Sequence, residues 1–246
     1  PGGSRHGIPG RLTGMKIGIV SNYQWLKSWD NYGTLLQNYA LQFFLRKHGA
    51  ETFWIRTVGR RLTPMLRVQA AVRFVAYHPV RFLSKQAARL GRLFKQTEEH
   101  HPLKAFNELH PRHFPEFFDA HVPHSEIEYT LEDLAEEPPV ADAYIIGSDR
   151  VWEFVSDESF LGFGRPDAKR VAYAVSASWE TRDSKWKKAA RKAIRRFDAV
   201  GVRETGGIHV CREVGRPDAV HVADPTLLLD REDYRSLVRA DRKTYP

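Results

Sequence analysis

"MKIGIVSNYQWLKSWDNYGTLLQNYALQFFLRKHGAETFWIRT" spans residues 15–57, and its reading decides the fold. "MKIGIV" (15–20) is a short apolar run that stops at Ser21-Asn22, the pattern of a buried strand. Leu36, Tyr39, Ala40, Phe43 and Phe44 then fall at i, i+3, i+4, i+7 and i+8, which makes one apolar stripe along a helix. Thr34 and Gln37 have the spacing of a capping box and predict a helix start at Thr34. Gly49 stands where a C-cap glycine belongs, and "ETFWIRT" (51–57) follows as a second strand. Strand, helix and strand in so short a span form a βαβ unit, whose crossover is right-handed.

Working outward, the same alternation resumes after a gap. "AYIIGS" (143–148), "RVAYAVSA" (170–177), "AVGVRE" (199–204) and "AVHVAD" (219–224) read as strands, with helices from about 184 to 197 and to about Gly215. Asp230 and Asp233 open a last helix by their capping spacing. The expected fold class is therefore α/β, a Rossmann-like, mostly parallel sheet flanked by helices. Residues from about 60 to 125, rich in Arg, His and Phe and without β alternation, are expected to form a helical basic insertion. Residues 1–14 are rich in Gly, Pro and Arg, lack the apolar core of a secretory signal, and are set aside as a leader or extension.

Composition bounds the function classes. The chain has 246 residues, 42% hydrophobic and 28% charged, enough to bury a sizeable core. No run of eighteen apolar residues occurs, so no transmembrane helix is expected. The single cysteine, Cys211, precludes an internal disulfide and thiolate-rich metal sites, which suits a reducing cytoplasm. A formal charge of +8 favours an anionic partner: nucleic acid, a phosphorylated metabolite or an anionic membrane face.

In open parallel sheets ligands bind beyond the carboxyl ends of the strands. Those ends are marked here by Ser21-Asn22 leading to Asp30-Asn31-Tyr32-Gly33, by Gly147-Ser148-Asp149, by Ser176-Ala177-Ser178, by Arg203-Glu204 and by Asp224-Pro225-Thr226. One reading makes these residues helix caps, where Ser, Asp, Thr and Asn are common. The other makes them a polar ligand edge, with Asn31 to Thr34 offering backbone N–H groups at a helix N-terminus and Gly33 allowing close approach or a positive φ.

Four stretches carry a resemblance: "DNYGTLLQNYALQFFLRKHG" (30–49), "YIIGSDRVWEF" (144–154), "VGVRETGGIHVCREVG" (200–215) and "DAVHVADPTLLLDREDY" (218–234). In order and wording they resemble the polysaccharide pyruvyl transferase family. That resemblance implies an enzyme moving the enolpyruvyl unit of phosphoenolpyruvate onto two hydroxyls of a glycan sugar as a cyclic ketal, with no cofactor. It implies one half of a two-domain architecture similar to that of GT-B-like glycosyltransferases. The expected second half, with a catalytic histidine and basic donor-binding residues, lies beyond Pro246, so this chain is expected to be inactive alone. Asp149 and Arg203 stand at family motif positions and become the catalytic candidates. An Arg would hold the donor's carboxylate and phosphate, and an Asp would orient or deprotonate the acceptor hydroxyl. Alternatively, Asp149 caps a turn and Arg203 pairs with Glu204 or another carboxylate. Candidate substrate-binding residues are Asn22, Asp30, Asn31, Tyr32, Gly33, Gly147, Ser148, Arg150, Ser176, Ser178, Glu204 and Asp224. Arg150 and Glu153 replace the family's usual Gln and Asn, which bears on acceptor preference. The implied partners are a sugar or lipid-linked glycan and phosphoenolpyruvate, in the cytoplasm or at the inner membrane face.

Two rival functions share the fold, a non-catalytic sugar- or partner-binding module and a glycosyltransferase half. The six histidines between His100 and His124 include His110/His113 and His121/His124. Prolines interrupt both pairs, so exposed histidines are expected rather than a metal site. The helix 184–197 is basic on one side and apolar on the other; it is a solvated outer helix or a contact for anionic headgroups, as is the basic segment 60–95 with its many Arg and Lys85 and Lys95. Aromatics do not interleave with the basic residues, so no nucleic-acid partner is expected. Cys211 falls in a helix pattern as a buried small apolar residue.

Overall fold

The computed structural model describes residues 12–21, 31–58, 113–153, 155–176 and 183–237. Asn22, Asp30, Ser178, the basic segment 60–95 and most of residues 1–14 lie outside them. Apart from His113, the described residues fall in one compact unit.

Strands β1 (Lys16–Val20), β2 (Glu51–Thr57), β3 (His124–Tyr129), β4 (Ala143–Asp149), β5 (Lys169–Val175), β6 (Ala199–Val202) and β7 (Val220–His221) form one sheet in the order β3-β2-β1-β4-β5-β6-β7. Every pairing is parallel. The chain runs outward from β1 to β3, returns to β4 beside β1, and then runs outward the other way. The reversal creates a topological switch point between β1 and β4, where ligands of such sheets bind.

Helix α1 (Tyr32–Lys47) packs on one face of the sheet. Leu35, Tyr39 and Ala40 meet Trp54, Phe114 and Phe118 there, while Leu41 and Leu45 meet Ile17, Ile19 and Ile145. Burying each such side chain is worth about 1.5–3 kcal/mol, which fixes the helix against the strands. Its exit at the predicted C-cap glycine has Schellman geometry: Gly49 has φ +95°, its N–H donates to Arg46 O at 2.9 Å, and Ala50 N–H donates to Leu45 O at 3.2 Å. Its entrance differs from the expected start at Thr34. The cap is Asn31, whose side chain accepts from Thr34 N–H, so the first turn begins two residues earlier. The spacing of Thr34 and Gln37 mimics a box, but both side chains are used elsewhere.

The other face carries the segment after β4, α4 (Ser184–Ala193), a 3-10 turn (Ile194–Arg196) and α5 (Thr205–Glu213). Trp152 and Phe160 stack there with ring centroids 5.0 Å apart, against Phe197, and Cys211 is fully buried in the same cluster. Burial raises the Cys211 thiol to about 12, which makes it inert.

The remaining elements are α2 (Phe114–His121), α3 (Leu131–Glu136) and α6 (Arg231–Arg235). The expected box at Asp230 and Asp233 is present on α6. Three features depart from the sequence reading. Within the region expected to be helical, 114–121 is helix α2, but the region's last two residues open an unexpected strand, β3, whose polar edge sequence HSEIEY hides its pairing to β2. Helix α3 is capped by a Thr130–Asp133 box. β7 is only two residues long where six were expected, because the chain turns at Asp224-Pro225 into a 3-10 turn, Pro225–Leu227.

Candidate functional site

The strand register aligns the polar ends. Asp149 is opposite Val175, and Val175 is opposite Val202. The ladder then continues one step past the strands, with Ser176 N–H donating to Asp149 O at 2.9 Å and Arg203 N–H donating to Val175 O at 3.1 Å. Sequence segments far apart thereby deliver Asp149, Ser176, Arg203 and Glu204 to one row at the sheet's carboxyl edge.

Asp224 ties that row together. Its Oδ1 accepts from Thr226 N–H at 3.0 Å and Thr226 Oγ1 at 2.7 Å, which is the capping role. Its Oδ2 accepts from Gln37 Nε2 at 2.6 Å and from Arg203 Nη1 at 3.1 Å, with Ser148 Oγ at 3.5 Å. Burial alone would push this carboxyl up, but the hydrogen bonds from Thr226, Arg203 and Gln37 outweigh it and hold the group below the ordinary carboxylate value. Capping and networking are thus carried by different oxygens of one residue.

Arg203 is held from two sides. Nε donates to Glu204 Oε1 at 3.0 Å while Nη1 reaches Asp224, and its side chain is 25% exposed. Burial disfavours the guanidinium charge, yet Glu204 and Asp224 more than compensate and raise its pKa. Glu204 also accepts from Ser176 Oγ at 2.8 Å, and as N-cap of α5 it makes no side-chain capping bond. Its carboxylate belongs to the edge instead of to the helix.

Asp149 accepts from Thr34 Oγ1 at 3.2 Å, which links the start of α1 to the end of β4. Ser148 and Asp149 both lie in the left-handed region, with φ 35° and 68°. Two consecutive non-glycine residues there cost about 1 kcal/mol or more each, and such strain concentrates at functional positions. Gly147 has a different purpose: a Cβ would sit 3.0 Å from Leu41 Cδ2, so its absence lets α1 close onto β4. Between these elements Ser21, Asn38, Gly147 and Ser148 line a narrow crevice at the switch point.

The other candidates resolve individually. Asn31 is the α1 cap; Gly33 sits against the cap oxygen, where a Cβ would come within 3.2 Å of Asn31 Oδ1, and its φ is not positive. Tyr32 is 61% exposed and meets Phe114 edge to face at 4.2 Å. Arg150 pairs with Glu153 at 3.0 Å on the outer surface. His124 stacks on Phe118 and His121 lies against Phe117, and among the described residues no group of three His, Cys, Asp or Glu is placed to hold a metal. Thr34 and Gln37 are the edge residues that sequence reasoning assigned to a helix cap. The signal for them is two polar side chains, one turn apart, on the face that α1 turns toward the sheet.

Among the described residues the edge therefore presents three carboxylates, Asp149, Glu204 and Asp224, around one guanidinium that two of them already engage. Such a set accepts hydrogen bonds from hydroxyls and is poorly suited to hold a multiply charged anion without further cations. Neither the curated proteins nor the solved structures give a significant match. The family model described as polysaccharide pyruvyl transferase matches residues 31–246, which contain every strand end that builds this edge except that of β1. The chain belongs to the polysaccharide pyruvyl transferase family.

Proposed function

We propose that the carboxyl edge of this sheet holds the sugar acceptor of a pyruvyl transfer, with phosphoenolpyruvate as donor. The observation that carries this reading is the excess of hydroxyl-accepting carboxylates among the described residues of the carboxyl edge, with Arg203 committed to Glu204 and Asp224. In the reaction, two sugar O–H groups and one phosphoenolpyruvate give a cyclic ketal and inorganic phosphate. One hydroxyl proton ends on the donor methylene, which becomes methyl, and the other on the departing phosphate. The donor's central carbon gains two C–O bonds to the sugar and loses its bond to the bridging phosphate oxygen and its π bond to the methylene.

Asp149 is the base and orienting group for an acceptor hydroxyl in this scheme, with one oxygen steadied by Thr34. Arg203 holds Glu204 and Asp224 in register so that they position the second hydroxyl. The cations that receive the donor's phosphate and carboxylate come from outside the described edge, in keeping with a GT-B-like pair of lobes of which this chain supplies one. On that reading the acceptor is a cell-surface or lipid-linked glycan met in the cytoplasm.

The test is turnover. Phosphoenolpyruvate and an acceptor glycan are incubated with the protein carrying both lobes, and the ketal methyl signal and phosphate release are followed together by NMR. Ketal and phosphate should appear in equal amounts, and Asp149→Asn should slow both by about a hundredfold or more without lowering the melting temperature. Phosphate release without ketal, or full turnover by Asp149→Asn, would rule the scheme out.

A further inference from the structure

Helix α4 splits its residues sharply. Ala190 and Ala193, with Ile194 of the following 3-10 turn, are buried against the core, and Trp186 turns inward toward Phe160 with centroids 6.5 Å apart. On the opposite side Lys185, Lys188, Lys192 and Arg195 are exposed at i, i+3, i+7 and i+10, a single row along the helix and its 3-10 extension. The cations flanking the row have protein partners: Lys187 pairs with Glu213 at 2.9 Å, Arg196 with Asp157 at 2.8 Å, and Arg191 donates to Glu213 O at 2.9 Å. The four in the row have no acidic partner among the described residues.

A helix that merely faces water gains from acidic residues three or four positions from its basic ones, and loses from like charges at that spacing. Residues 184–196 contain no acid at all, so the row carries its own repulsion. A polyanion laid along it removes that repulsion. We propose that this row docks α4 on an anionic phospholipid surface. A straight row of point charges matches laterally mobile headgroups, and the apolar side of α4 is used in the core, so contact is electrostatic and does not insert. The one aromatic of α4, Trp186, points inward, which leaves no exposed ring to stack a base as single-strand readers do.

The placement has a consequence. α4 returns from the carboxyl end of β5 to the start of β6, so its axis runs along the strands. A surface lying on the row leaves the carboxyl edge opening sideways, about one helix layer above the headgroups, where the sugar of a lipid-tethered glycan would reach it. That last step rests on the function proposed above; the surface contact does not, and its test needs no turnover.

The experiment is cosedimentation of the chain with vesicles of equal parts phosphatidylglycerol and phosphatidylcholine, and with phosphatidylcholine alone, at about 0.1 M salt, where screening acts over ~10 Å. The chain should bind the anionic vesicles only. Replacing the row by glutamine (Lys185→Gln, Lys188→Gln, Lys192→Gln, Arg195→Gln) should weaken binding by about six-hundredfold, at roughly fivefold for each cation removed. A control with the same loss of charge elsewhere (Lys16→Gln, Lys47→Gln, Arg165→Gln, Arg231→Gln) should bind like the parent, and circular dichroism should show both variants folded. Equal losses in row and control variants, absence of binding by the parent, or a parent that prefers a single-stranded DNA oligonucleotide to the vesicles would each overturn the proposal.

Discussion

Asp224 is the residue on which the edge depends, because it joins α1, β4, β6 and the turn after β7 through Gln37, Ser148, Arg203 and Thr226. Its folded pKa is held below the ordinary carboxylate value. The stability it contributes is therefore complete above about pH 4 and is lost as pH falls below that toward the folded pKa. The gap in urea midpoint between the parent and Asp224→Asn should be constant from pH 7 to 5 and shrink toward pH 3. A gap that widens on acidification would contradict the network. Arg203→Ala leaves Glu204 and Asp224 facing each other partly buried without their cation, and should cost about 2 kcal/mol of stability at pH 7. Lysine at that position cannot reach both carboxylates with a planar fork and should recover only part of the loss.

At the level of elements, α1 shows what was legible in the sequence and what was not. Its Gly49 exit was readable because a left-handed C′ residue leaves unmistakable spacing, but its apolar stripe was only half right: Tyr39 and Ala40 are buried, Leu36, Phe43 and Phe44 are only partly buried, and Leu35, Leu41 and Leu45 with Asn38 and Gln42 fill the buried centre. Its start was misread by two residues, because Thr34 and Gln37 have box spacing yet donate across to Asp149 and Asp224. Local spacing cannot distinguish a polar side chain that caps its own helix from one that reaches another element. β3 escaped for a related reason: an edge strand paired on one side needs little apolar content, and Ile127 stays 58% exposed. The polar strand ends at Asp149, Ser176, Arg203, Glu204 and Asp224 were visible one by one, whereas their meeting is a product of register. The cap assignment is itself testable. Asn31→Ala should lower stability by about 1 kcal/mol, and Asn31→Asp should keep it, since a carboxylate at an N-terminus both accepts the Thr34 N–H and suits the helix dipole. Equal melting temperatures for Asn31→Ala and the parent would move the cap elsewhere.

Across the whole molecule, charge is divided by location. The net charge is +8, yet among the described residues the carboxyl edge gathers Asp149, Glu204 and Asp224 around Arg203, while cations without an acidic partner among those residues line the outer side of α4. That division separates the carboxylate-rich edge proposed for the acceptor sugar from the surface proposed for anions. Backbone amide spectra of the labelled chain, titrated in turn with phosphoenolpyruvate and with a panel of neutral oligosaccharides of galactose, glucose, mannose and N-acetylmannosamine, test that claim most directly. The account predicts that a sugar shifts the amides of Ser148, Asp149, Ser176, Arg203 and Glu204 and that phosphoenolpyruvate alone leaves them in place; shifts of those amides by phosphoenolpyruvate and by none of the sugars would contradict it.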